Sequence, residues 1–130
     1  MPSNMKTILF TTLLLFSING FAFNWEKVGK DINGSFFYVD IDNIKKHNGL
    51  VYYWGLTDLL EPKDSGTNSY IEKYKVNCEE EEQTWLNITF YSQPMGKGRI
   101  IQEITPKRIR YPKPNTVGYE QMKFACDYFK

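Results

Sequence analysis

Two cysteines lie in segments of different periodicity, and that difference limits the fold more than any other feature of the chain. Cys78 ends a run in which Tyr74, Val76 and Cys78 alternate with Lys73, Lys75 and Asn77. Strict alternation marks a strand with one wet face. Cys126 belongs to a run in which Tyr119, Met122, Cys126 and Phe129 recur at three and four, an apolar helical face. In an oxidising compartment a lone pair most simply forms one disulfide. Such a bridge closes a loop of roughly fifty residues and contributes about 4 kcal/mol in the chain-entropy account. The alternatives are two free thiols or a metal site, for which His47, the chain's one histidine, supplies few ligands. A bridge would staple a terminal helix across one face of an antiparallel sheet, giving a two-layer α+β domain.

The compartment is read from the N-terminus. Met5-Lys6 precedes the apolar run Thr7–Phe16 and the small-residue exit Gly20-Phe21-Ala22. One charge, a short apolar stretch and small residues at the cut describe a secretory signal peptide over residues 1–22. The apolar run is shorter than the ~20 residues of a spanning helix. No cysteine stands at the expected cut, so the processed chain is expected to carry no lipid anchor. Residues 23–130 then form a single exported domain, periplasmic or displayed outside the cell, with no membrane span. The whole chain carries a formal net charge of +1. Removing Lys6 with the leader leaves a neutral balance, which argues against nucleic acid as a partner.

The remaining chain reads as five to six short strands followed by the helix. Trp25–Val28 and Ser35–Asp40 flank Asn33-Gly34, a tight-turn signal, and are expected to form a hairpin. Asp40 or Asp42 is expected to cap one helical turn through Ile44 and Lys45. Leu50–Thr57 is the clearest strand, with Tyr52, Trp54 and Leu56 on one face. Gly55 within it marks a bulge or a close backbone approach. After Tyr70–Cys78, Leu86, Ile88 and Phe90 share a face of the next strand, and Arg99–Ile104 is the last. Pro106, Pro112 and Pro114 keep residues 105–115 extended, and Asn115 or Thr116 caps the terminal helix.

Several groups recur in one order and spacing: Trp25, Tyr38-Val39-Asp40, Val51 to Trp54 with Leu56 and Asp58, Ser69 ahead of Cys78, Tyr91 with Met95-Gly96-Lys97-Gly98, and Pro114 ahead of Cys126. With the leader and the cysteine pair, they make the chain resemble the surface-adhesin protein E-like domains, a family of small exported bacterial proteins. The resemblance implies several antiparallel strands with a disulfide-linked C-terminal helix. It also implies an envelope-exposed binding role, since its best-known member looks like a binder of host matrix and plasma proteins. The chain departs from that member in lacking a lipidation cysteine and carries Ile109-Arg110-Tyr111 in the tail where a tryptophan is expected.

The residues point to binding rather than catalysis. No nucleophile elbow, histidine-rich metal motif or phosphate loop is present, so no enzyme, cofactor or metal is expected. The strongest ligand-binding candidates are Lys107, Arg108, Arg110, Tyr111 and Lys113, cations and an aromatic on a proline-stiffened segment. Preorganised cations suit a protein or polyanionic extracellular ligand. Glu79–Glu82 reads as a solvated turn that could pair with them. Tyr53, Trp85 and Tyr91 fall opposite the apolar set, and exposed together they would form an interface patch, for instance for a homodimer. The two functional readings are an adhesin-like, non-enzymatic binding module of the envelope and a periplasmic accessory domain without external ligand.

Overall fold

The computed structural model describes residues 22–130. The signal-peptide expectation falls on residues 1–22, and all but the last of these lie outside the described residues. Eight strands form one antiparallel sheet: β1 (Trp25–Lys30), β2 (Phe36–Asp40), β3 (Lys45–His47), β4 (Leu50–Asp58), β5 (Ser69–Asn77), β6 (Glu82–Gln93), β7 (Lys97–Ile104) and β8 (Arg108–Arg110). A 3-10 turn, Pro94–Gly96, joins β6 to β7, and helix α1 (Val117–Asp127) ends the chain. The strand order is β1-β2-β4-β5-β6-β7. The short strands β3 and β8 pair with the remaining stretches of β4 and β6, alongside β2 and β7. The sheet therefore has more strands than the five to six expected, because two connecting segments pair as well.

The first of these replaces the expected helical turn. Asp40 is fully buried, and its carboxylate accepts from the backbone N–H of Asn24 (3.0 Å) and Asp42 (3.2 Å) and from Asn43 Nδ2 (2.6 Å). Asp40 closes a turn there instead of capping a helix. Asn48 (φ 52°) and Gly49 (φ 79°) then form a two-residue turn with both residues left-handed. That geometry matches strand twist and pins Lys45–His47 against Leu50–Tyr52.

Helix α1 starts at Thr116, whose hydroxyl accepts from Tyr119 N–H at 3.2 Å. Its buried residues Met122, Ala125 and Cys126 pack on Val39, Val51, Tyr53, Tyr74 and Val76. Cys126 is disulfide-bonded to Cys78, with Cα atoms 5.9 Å apart. Gly55 is a close approach: a Cβ there would lie 2.6 Å from Gln121 Nε2, which donates to the Tyr38 carbonyl at 2.9 Å.

The opposite face has its own small core. The 3-10 turn folds over Leu56 and Ile71, and a Cβ on Gly96 would meet Ile71 Cδ1 at 2.6 Å. Buried Ser69 holds the turn by donating to the Gln93 carbonyl (2.7 Å) and accepting from Gly96 N–H (2.8 Å). Asp58 accepts from Met95 N–H at 2.9 Å.

The structure differs from two side-chain assignments made from alternation. Tyr53 is fully buried beneath α1, and the even-numbered Tyr52 and Trp54 lie on the face away from it. In β6 the register shifts where Lys73 pairs with Asn87 but Tyr74 pairs with Trp85, so Leu86 is the extra residue of a bulge. A one-residue insertion exchanges the faces beyond it. Trp85 consequently joins Ile88 and Phe90 on the helix side, and Leu86 leaves it. Tyr53, Trp85 and Tyr91 do not form a shared exposed patch: Tyr53 is core, Trp85 lines the helix side, and Tyr91 lies on the other face with Phe23 and Trp54.

Candidate functional site: a groove between helix, tail and sheet

Helix α1 lies chiefly over β1, β2 and β4, so part of the helix-side face of β5 and β6 extends beyond it. The tail that leads to the helix arches over its far edge as β8. Between them lies a groove of about 540 Å³. Its walls are aromatic: Phe37, Tyr70, Tyr74, Trp85 and Phe90. Cross-strand neighbours build one wall as a ladder. Tyr53 and Tyr74 stack at 5.0 Å, Tyr74 and Trp85 at 6.2 Å, and the Arg110 guanidinium sits 4.7 Å above the Trp85 ring. The ladder runs through β4, β5, β6 and β8, so the bulge that turns Trp85 inward also creates the seat for Arg110.

The proposed ligand-binding segment divides between two faces. Arg108, Arg110, Tyr111 and Lys113 line the groove, and Lys63 joins them from the β4–β5 loop. Lys107 faces the other side, beside Ile109 and Leu86. The split follows from strand alternation within β8, whose Arg108 and Arg110 stand opposite Trp85 and Gln83. The glutamate turn positions this segment and the helix: Tyr111 Oη donates to Glu82 (3.0 Å) and Tyr119 Oη to Glu81 (2.5 Å). Those carboxylates raise both phenol pKa values, chiefly through the hydrogen bonds themselves.

Sequence reasoning missed Glu72, on the groove floor. It is 2% exposed. Oε1 accepts from Thr57 Oγ1 at 3.2 Å, and Oε2 accepts from Trp85 Nε1 at 3.4 Å. Burial pushes its pKa up to about 7, against the smaller opposing effect of those two hydrogen bonds. Burial, with Glu72 as second cause, also raises Tyr53 well above its ordinary value and Tyr70 to about 12. A signal was present: Glu72 interrupts the apolar face formed by Tyr70, Tyr74, Val76 and Cys78. The neighbouring Gln83 is spent on structure, accepting from Tyr53 Oη at 2.6 Å.

The arrangement defines a class: one antiparallel sheet, one helix stapled across it, and a concave aromatic recess beside the helix. Residues 25–127 match the surface-adhesin protein E family, and the chain belongs to that family. Its fold is similar to that of Haemophilus influenzae protein E. Against crystal form II the TM-score is 0.61 at 20% identity, covering 85% of this chain and 94% of that one. Against protein E from a non-typeable Haemophilus influenzae the TM-score is 0.55 at 18% identity, covering 85% and 81%. No curated protein sequence matches the chain. Among the described residues, no helix is long and apolar enough to cross a membrane.

Proposed function

We propose that this protein is an exported, non-enzymatic, adhesin-like module that binds a segment of an extracellular protein in the groove. The observation that carries this reading is the rim. Arg108, Arg110 and Lys113 from the tail and Lys63 from the β4–β5 loop are all exposed and line one aromatic recess. Aromatic walls supply apolar contact area, and a ring of cations steers and orients an acidic partner segment. Membership of a surface-adhesin family supports the same reading.

The test compares the processed protein with its Lys63→Ala, Arg108→Ala, Arg110→Ala, Lys113→Ala variant on immobilised extracellular-matrix and plasma proteins. Binding should weaken at least tenfold in the variant, and the difference should shrink at high salt as exposed charges are screened. Unchanged binding at low salt rules the groove out. Binding to heparin but to none of the proteins would overturn the protein-ligand reading in favour of a polyanion. External protease on intact cells should cleave the domain, and full protection would instead indicate a periplasmic accessory role.

A further inference from the structure

The groove is electrically layered, and the layers specify what fits. Its floor holds a carboxylate, its walls are aromatic, and its lip carries four cations. We propose that the groove receives a lysine side chain of its partner polypeptide, the ammonium reaching Glu72 while acidic neighbours of that lysine meet the cations on the rim. This rests on the reading of the groove as a protein-binding site and specifies its ligand.

The floor comes first. A carboxylate offers about four acceptor positions, and Glu72 receives one hydrogen bond on each oxygen, from Thr57 and Trp85. Among the described residues no cation is within ion-pair distance of it. A buried carboxylate without a counter-charge is unfavourable as an anion, and an ammonium ion supplies what is missing. The walls fit the remainder of a lysine. Aromatic faces attract ammonium and cover its methylene stem. A compact point charge on a four-carbon stem suits a carboxylate whose two oxygens each already accept a bond better than a planar guanidinium, which needs a two-pronged approach. The rim sets the context of the lysine. Four exposed cations repel a bare amine, so entry is favourable for a lysine flanked by Asp or Glu, which pair with the lip as the ammonium descends.

Charged and titratable groups approach Glu72 from several packed elements. Tyr53 of β4 and Tyr70 of β5 are raised by burial and by Glu72. Asp31 acts on Tyr70 from the first hairpin turn. Lys63, Arg108, Arg110 and Lys113 supply the cations, and helix α1 contributes the neutral Gly118 and Gln121. His47 lines a different depression, with Lys45 and Lys46. Glu72 is therefore the groove group whose charge state governs an incoming ammonium near neutral pH.

The test uses calorimetric titration of the processed protein with the capped peptides Ac-Glu-Lys-Glu-NH2 and Ac-Glu-Nle-Glu-NH2, in which norleucine keeps the apolar stem and lacks the charge. At about pH 8 the lysine peptide should bind at least tenfold more tightly. Below the Glu72 pKa that advantage should fall by up to about tenfold per pH unit, because binding then displaces a proton. Glu72→Gln should remove the advantage at about pH 8, and the rim variant should weaken both peptides alike. Equal affinities for the two peptides, a pH-independent advantage, or no binding of either would overturn the lysine assignment. The binding of whole extracellular proteins is measured separately, and its dependence on the rim cations stands or falls by that assay. The peptide pair needs no altered protein, so the result holds even where Glu72→Gln perturbs the fold.

Discussion

The contribution of Glu72 to stability should fall as pH rises from about 4.5 to about 8, and that fall can be separated from the rest of the protein's pH dependence. Glu72 is 2% exposed and has no cationic partner among the described residues. Its pKa stands at about 7 in the folded protein against an ordinary 4.5. Between those values the folded state holds a proton that the unfolded chain has released. Stability then decreases with pH, by about 1.4 kcal/mol per unit. The stabilisation is complete below the unfolded value, is lost as pH rises through the folded one, and does not change further above it. Over the whole window the loss is about 3 kcal/mol. The rest of the protein is common to both chains compared, so the measurement is a difference. Urea unfolding of the protein and of its Glu72→Gln variant, at pH steps across the window, gives two stability profiles. Glutamine does not ionise, and whatever its amide costs against Thr57 and Trp85 is the same at every pH. The gap between the profiles should therefore move by about 3 kcal/mol in favour of the variant as pH rises. A gap constant to within about 0.5 kcal/mol would refute the argument, because it would mean that water or a cation reaches this carboxylate.

Two further outcomes test the scaffold. The disulfide closes a loop of 48 residues, so the Cys78→Ala, Cys126→Ala variant should lose about 4 kcal/mol in urea unfolding. A loss under about 1 kcal/mol would show that the helix docks without its staple. Ser69→Ala should cost about 2 kcal/mol, since it removes a donor to the Gln93 carbonyl and strands the Gly96 N–H. Amide exchange at Gly96 should accelerate as well, and an unchanged exchange rate would mean that Ser69 does not hold the 3-10 turn.

Alternation and helical period made the main strands, the terminal helix and the cysteine pairing legible before any coordinates. What they could not carry is phase. In β4 both faces are apolar because α1 covers one and the 3-10 turn covers part of the other. Tyr53 and Leu56 are both fully buried on opposite sides, and a strand of this kind gives no polar face by which to orient it. In β6 the bulge at Leu86 reverses the phase midway, and nothing local announces it. The role of Asn48-Gly49 as a two-residue hairpin turn depends on β4 being there to pair. The basic segment was legible as a cluster, but the division of Lys107 from Arg108 and Arg110 required β8 to exist. Glu72 was missed, although an acid interrupting the apolar face of β5 is a signal that the sequence carries.

The groove itself follows from size. An eleven-residue helix is about 16 Å long and about 10 Å wide, whereas six neighbouring strands span about 24 Å between the outermost chains. One such helix cannot cover that face, and the proline-stiffened tail covers only its margin. An uncovered recess is thus a consequence of the architecture and carries no functional information alone. Its contents do. Aliphatic residues filling the recess would stabilise the domain, and a buried, unpaired carboxylate does the reverse by about 3 kcal/mol above neutral pH. For a small domain with a net stability of about 5–15 kcal/mol, that is a large concession at one position. A cost of that size on the floor of an accessible recess, offset by no cation within the described chain, is most simply explained by a cation that arrives with the ligand.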